Sequence, residues 1–249
     1  MSVVRIFYVN LARRPERRAF MERQFDALGL CAERVEAVDG RAMPVAEREK
    51  AVSRFRWWCA NGYRARDGEI GCALSHQSIY RRMVAEEIPC ACILEDDVTL
   101  TPGFIEMLAA GERFFAKQGV ATVLILTPYK GREKRNAPAP CFEKVPFAAS
   151  TGGYILDLEA ARRLIAANSP LHTTIDNWGR LCRLGAVGLY AASPIVCIQD
   201  GYRQNTLGES FASDTIYPGT VFVADMPPLR RLVHKATRCI GIAIDRLVR

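Results

Sequence analysis

A strand that ends in three carboxylates is the feature that most limits what this chain can fold into. Residues 89–98 read PCACILEDDV: the apolar run 90–94 is the pattern of a strand buried on both faces of a mostly parallel sheet, and Glu95, Asp96 and Asp97 follow at once. Alternation along an extended strand puts Glu95 and Asp97 on one face and Asp96 on the other. Like charges that close raise one another's pKa unless a cation or hydrogen-bond donors hold them ionised. Hard oxygen ligands of this kind suit Mg²⁺ or Mn²⁺, which keep several waters and take further ligands from a diphosphate. The alternative is a polar loop after a strand, because adjacent acids are common at surfaces.

With 249 residues the chain can form one large α/β domain or two small ones. A charged fraction of 24% beside 49% hydrophobic residues excludes disordered and fibrous classes. The net charge of +7 favours anionic partners: nucleotides, phosphorylated glycolipids, anionic membrane surfaces or nucleic acid. The nine cysteines are scattered, odd in number and without a C-x-x-C pair, so they read as small core residues in a reducing cytosol. His76, His172 and His234 lack metal-ligand spacing among themselves or with paired cysteines, and no structural zinc is expected. The opening residues read as a first strand rather than a secretion signal, and no apolar run reaches the roughly 18 residues of a membrane span.

Residues 3–10 predict a strand, 15–28 a helix begun by Pro15 and stopped by Gly29, and 32–37 a second strand. Such a strand-helix-strand unit builds a parallel sheet whose ligands collect at the carboxyl ends of the strands. Arg13, Arg14 and Arg17 follow the first strand there, and Asp39 follows the second, where an acid can hold a ribose; a solvated helix face and a plain Asp39-Gly40 turn are the alternatives. Residues 41–66 predict a short helix and a loop, with Trp57 and Trp58 assigned to packing over sugar stacking. A helix over 67–85, with Asp67 as N-cap, puts Cys72, His76, Ile79, Tyr80 and Met83 on one face, which makes His76 a core histidine by default. Further elements are a helix over 104–117, a strand over 121–126, a basic loop or hairpin over 128–146, a strand after the Gly152-Gly153 pair, a helix over 158–167 and a last strand over 194–199. The glycine pair lets a backbone approach a ligand closely. Asp176 either caps a helix or projects a carboxylate into a cleft.

The pattern of residues 227–249 predicts a separate basic amphipathic helix after a domain spanning 1–226. Six basic residues against the single Asp245 give this tail a net +5. Such a helix either lies in an anionic membrane interface through residues 229–249 or docks on the core with a solvated face. Nucleic acid is not an expected partner, because no recognition helix or aromatic-basic strand platform accompanies the charge.

Taken together, these motifs resemble the bacterial lipooligosaccharide glycosyltransferases of glycosyltransferase family 25, which are related to collagen galactosyltransferases. The likeness is carried by Tyr8-Val9-Asn10-Leu11 with Arg13, Arg14 and Arg17, by Val38-Asp39-Gly40, by residues 68–76 (GEIGCALSH), by residues 93–98 (ILEDDV), by residues 152–156 (GGYIL) and by Ile175-Asp176. It covers roughly residues 3–200, and departs from the family at Thr173-Thr174, where the family commonly has proline before the Ile-Asp pair.

The resemblance implies a GT-A type, Rossmann-like α/β fold and a UDP-sugar donor, most often UDP-galactose. It also implies Mn²⁺ (or Mg²⁺) at the acidic motif, inversion at the anomeric carbon, and a glycolipid or oligosaccharide acceptor of the lipopolysaccharide type. Asp97 and Glu95 are then the metal ligands, while Asn10, Arg13, Arg17, Asp39, Glu95, Asp96 and Gly153 serve the donor. Inversion needs a base, for which Asp176 is the candidate and His76 the reserve. The expected location is the cytoplasm, peripheral on the inner face of the membrane. The alternative function is a catalytically idle nucleotide-sugar or lipid-phosphate binding protein at that surface.

Overall fold

The β-branched and aromatic opening forms β1 (Arg5–Asn10) in the computed structural model, which describes residues 4–119, 121–128 and 137–199. Pro15, with its helical φ and no N–H to leave unpaired, starts α1 (Pro15–Leu28), and Gly29 ends it in the left-handed conformation at φ 62°. After β2 (Glu33–Glu36) come two short helices, α2 (Val45–Ala51) and α3 (Arg54–Asn61), where the sequence predicts one. Trp57 of α3 is fully buried, as packing requires, whereas Trp58 is 46% exposed.

The long helix α4 (Asp67–Ala85) is closed at its start by Glu69, which accepts the Arg66 N–H at 2.9 Å. Asp67 is its first helical residue and pairs with Arg48 instead of capping. Then follow β3 (Cys90–Glu95), β4 (Val98–Leu100), α5 (Phe104–Phe115), β5 (Thr122–Ile125), β6 (Cys141–Lys144), β7 (Gly153–Asp157), α6 (Leu158–Ala167), α7 (Trp178–Arg183), β8 (Gly188–Ser193) and β9 (Cys197–Gln199).

Seven strands form one sheet in the order β2-β1-β3-β7-β5-β8-β6, and β4 pairs with β9 in a small second ladder. The β1 pairings with β2 and β3 and the β5 pairing with β8 are parallel, while β7 and β6 run antiparallel to their neighbours. Five of the seven strands therefore share one direction, which makes the sheet mixed and mostly parallel. Alternation sorts the core onto its two faces. Phe7, Val9, Ala91 and Ile93 pack on one side with Ile70, Ile79, Tyr80 and Met83 of α4. Ile6, Tyr8, Cys92 and Leu94 pack on the other with Phe20, Met21 and Phe25 of α1 and Phe104 and Met107 of α5.

β3 stops at Glu95. Residues 96–97 form a turn, so the alternation expected to separate Asp96 from Glu95 and Asp97 no longer applies. The tail helix expected over 227–249, and Lys130, Arg132, Lys134 and Arg135 of the basic loop, lie outside the described residues. Among the described residues no helix is long and apolar enough to cross a membrane, and the eight of the nine cysteines that fall there are free.

Candidate functional site

Because β2, β1 and β3 are parallel neighbours, their carboxyl ends reach one edge of the sheet together, and an open cleft of about 700 Å³, counted to where it merges with solvent, lies there. Its walls carry Arg13, Arg17, Asp39, His76 and the three acids Glu95, Asp96 and Asp97. Two glycines fix the contact between the loop after β2 and the start of α4. A Cβ on Gly40 would lie 1.8 Å from the Asp67 carbonyl oxygen, and one on Gly71 2.4 Å from that of Val38. Only bare backbone lets the start of α4 press against the loop after β2. Val38 N–H donates to Ser75 Oγ at 2.8 Å and completes that contact.

The register explains the first acidic contact. Val9 pairs with Glu95, which brings Asn10 level with Asp96, and Asn10 Nδ2 donates to Asp96 Oδ2 at 2.7 Å. Arg17, one turn into α1, donates to Asp96 Oδ1 at 2.8 Å and lies 4.0 Å from Asp97 Oδ2. Burial pushes the Asp96 carboxyl up, with Arg17 and Asn10 pulling against it. Asn10 is itself enclosed, accepting from Arg34 at 3.0 Å, and is not part of the cleft wall. Arg13 bonds Asp39 at 2.7 Å; that bond comes first among the causes holding the Asp39 carboxyl below its usual range.

Glu95 and Asp97 meet through a residue that sequence reasoning missed. Gln199 Nε2, from β9, donates to Glu95 Oε2 at 2.8 Å and to Asp97 Oδ1 at 3.1 Å. Thr151 Oγ1 donates to the other Glu95 oxygen. Burial works upward on Glu95, but His76, Thr151 and Gln199 together hold its carboxyl below the usual range. Burial first, and then the charge of Glu95, push Asp97 up to about 7. Asp97 is thus short of compensating charge, and the oxygens of both carboxylates are of the hard kind that Mg²⁺ or Mn²⁺ accepts.

The glycine pair serves this arrangement. A Cβ on Gly152 would come within 2.8 Å of Gln199 Oε1, and one on Gly153 within 2.8 Å of Cys197 Sγ. What approaches Gly153 closely is thus β9, and Gly153 does not line the cleft. The glycines were the available signal for Gln199, since a pair without side chains makes room for some neighbour.

His76 is fully buried on α4, with Nδ1 2.7 Å from the hydroxyl of Tyr154, which in turn lies 2.6 Å from that of Tyr80. Its Nε2 has no hydrogen-bond partner and sits 3.6 Å from Glu95 Oε1. The ligand atoms of Cys72, His76 and Glu95 all lie within 4.8 Å of one another. Asp176 is outside the cleft wall but near enough for the charge of Glu95 to act on it; burial is the largest cause of its raised pKa. The cap explanation does not apply, because Asn177 is the N-cap of α7 and accepts the Arg180 N–H.

The profile of Glycosyltransferase family 25 (LPS biosynthesis protein) matches residues 3–178. A Glycosyltransferase 25 family member of Drosophila melanogaster is 34% identical over 176 residues, covering 67% of this chain and 28% of its own. Procollagen galactosyltransferase 2 of Homo sapiens is 31% identical over 181 residues, 68% of this chain and 28% of its own. A Mus musculus relative named inactive glycosyltransferase 25 family member 3 is 31% identical over 182 residues, 69% of this chain and 30% of its own. The match thus spans less than a third of the length of each of these relatives.

Proposed function

The chain belongs to glycosyltransferase family 25, and on that premise we propose that it transfers a sugar from a UDP-sugar, galactose foremost, to a lipopolysaccharide-type glycan with inversion at the anomeric carbon. The observation that carries this reading is the acidic cleft at the carboxyl ends of β1, β2 and β3, where Gln199 holds Glu95 and Asp97 together and Arg13 faces Asp39. Galactose as the transferred sugar accords with the name of the procollagen galactosyltransferase relative, and a lipopolysaccharide-type acceptor with the description of the family.

In this reading Glu95 and Asp97 would hold a Mn²⁺ or Mg²⁺ ion, and the chemistry it would supply there is Lewis-acid stabilisation of the charge on the departing diphosphate. Arg13 balances charge at the cleft mouth, and Asp39 orients the ribose. Arg17 and Asn10 fix Asp96 behind them. Asp176 takes the acceptor hydroxyl proton as the new C–O bond forms and the bond to UDP breaks. Its burial suits a base, since a desolvated carboxylate binds a proton more readily. Residues 229–249 bring the protein to the inner face of the membrane, close to a glycolipid acceptor.

Calorimetric titration of UDP and a panel of UDP-sugars, with and without Mn²⁺, tests the proposal on the wild type and Asp97→Ala. Metal-dependent UDP binding that the variant loses is the expected result; absence of UDP binding under every condition would overturn the reading. A second reading, binding without turnover, draws on the mouse relative named inactive at 31% identity. Release of UDP in the presence of a glycan acceptor separates the two.

A further inference from the structure

Cys72 and His76 stand one helical turn apart on α4, so their side chains share a face, and that face looks at the end of β3 where Glu95 lies. Their sulfur and nitrogen, with a Glu95 oxygen, form a triangle with no side above 4.8 Å. Two features of His76 single this group out. Its Nδ1 is engaged by the Tyr154 hydroxyl at 2.7 Å, which fixes the ring and leaves Nε2 as the atom presented to Glu95. That Nε2 is buried and has no hydrogen-bond partner.

The 3.6 Å from Nε2 to Glu95 Oε1 is long for a hydrogen bond. It is close to the about 3.4 Å that separates two ligands on one tetrahedral ion at bond lengths of about 2.0–2.2 Å. Cys72 lines the cleft, so an ion can reach the site from solvent. Burial first, and then the charges of Glu95, Asp176, Asp97 and Glu69, push the Cys72 thiol well up, and a cation bound beside the sulfur offsets that negative charge.

We propose that Cys72, His76 and Glu95 form a site for a borderline-soft divalent ion such as Zn²⁺ on the inner wall of the cleft, sharing Glu95 with the hard-oxygen set that Asp97 completes. The thiol gives its proton to solvent as the sulfur–metal bond forms, one proton per ion bound. A water fills the fourth position. Because Glu95 belongs to both sets, an ion here draws it away from Asp97, and Zn²⁺ then opposes the action of Mg²⁺ or Mn²⁺. The opposition to Mg²⁺ or Mn²⁺ rests on the proposed function, whereas the site itself does not, since its readout needs no nucleotide.

The test is Co²⁺ titration of the metal-stripped, reduced full chain, followed by absorbance. A sulfur-to-cobalt charge-transfer band with the intense visible bands of four-coordination is expected, lost on addition of Zn²⁺. Cys72→Ser removes the charge-transfer band, His76→Gln weakens cobalt binding at least tenfold, and Asp97→Asn leaves the band in place. No band in the wild type, or a band that a folded Cys72→Ser retains, overturns the site. Wild-type protein supplies a check that needs no variant: Zn²⁺ slows alkylation of Cys72, mapped by mass spectrometry, and an unchanged Cys72 rate sinks the proposal equally.

Discussion

Gln199 and Asp97 are joined by a 3.1 Å hydrogen bond across 102 positions of sequence, and the same amide nitrogen reaches Glu95 at 2.8 Å. A neutral donor between two carboxylates lets them share a site before any cation arrives. Gln199→Ala removes both bonds and leaves buried acceptors without that donor. Stability of the metal-free protein should fall by about 1–3 kcal/mol in urea unfolding. Added Mn²⁺ should recover more stability in this variant than in the wild type.

Asp97 gives the cleft a pH dependence with a definite sign. Its folded pKa of about 7 lies above the ordinary carboxylate value, so the folded state favours its protonated form. The stability this contributes is complete below the unfolded pKa of about 4 and is lost as pH rises through about 7. In the presence of a chelator, Asp97→Asn should therefore be more stable than the wild type at pH 8 by about 1–3 kcal/mol, with the gap closing toward pH 4. Thermal melts across that range measure it. Mn²⁺ affinity of the wild type should rise over the same interval, because the ion needs the deprotonated carboxylate.

The Arg17–Asp96 pair is enclosed, with side-chain exposures of 6% and 9%. Removing one partner strands a buried charge, so Arg17→Met should cost about 3–5 kcal/mol in chemical unfolding. Arg17→Met combined with Asp96→Asn should recover a large part of that loss. If Arg17 also serves the donor, UDP affinity of the folded double variant drops as well; unchanged affinity confines the arginine to holding Asp96.

Local signals explain which parts of this fold could be read from sequence. Pro15 and Gly29 bracket α1, and the unbroken apolar run of β3 marks a buried central strand, because each depends on residues within a turn or two. β8, with the sequence GLYAAS, gave no such signal: glycine and alanine have weak strand preference, and pairing with β5 and β6 is what makes it a strand. The end of β3 was misplaced since no glycine or proline marks the turn at residues 96–97. Site residues separated along the same line. Glu95 and Asp97 stood out as charges after an apolar run, whereas Gln199 is one ordinary polar residue in a short strand, and Cys72 acquires meaning only once α4 faces β3.

Asp176 and Asn177 divide two roles that sequence alone could not separate. Asn177 accepts the Arg180 N–H at 3.3 Å and caps α7, which leaves the Asp176 carboxylate outside the capping interaction. Asn177→Ala should lower stability by about 1 kcal/mol in urea unfolding and leave turnover of the folded protein near the wild-type value. Asp176→Asn keeps the size of the side chain and its capacity to hydrogen-bond but cannot take a proton. Turnover should fall by about 10²-fold or more, while UDP affinity, set by the cleft that Asp176 does not line, stays within about twofold. Steady-state kinetics beside calorimetry on the two variants decide the matter. Retention of more than about a tenth of wild-type turnover by Asp176→Asn would remove it as the base and leave His76, 3.6 Å from Glu95, as the residue to substitute next.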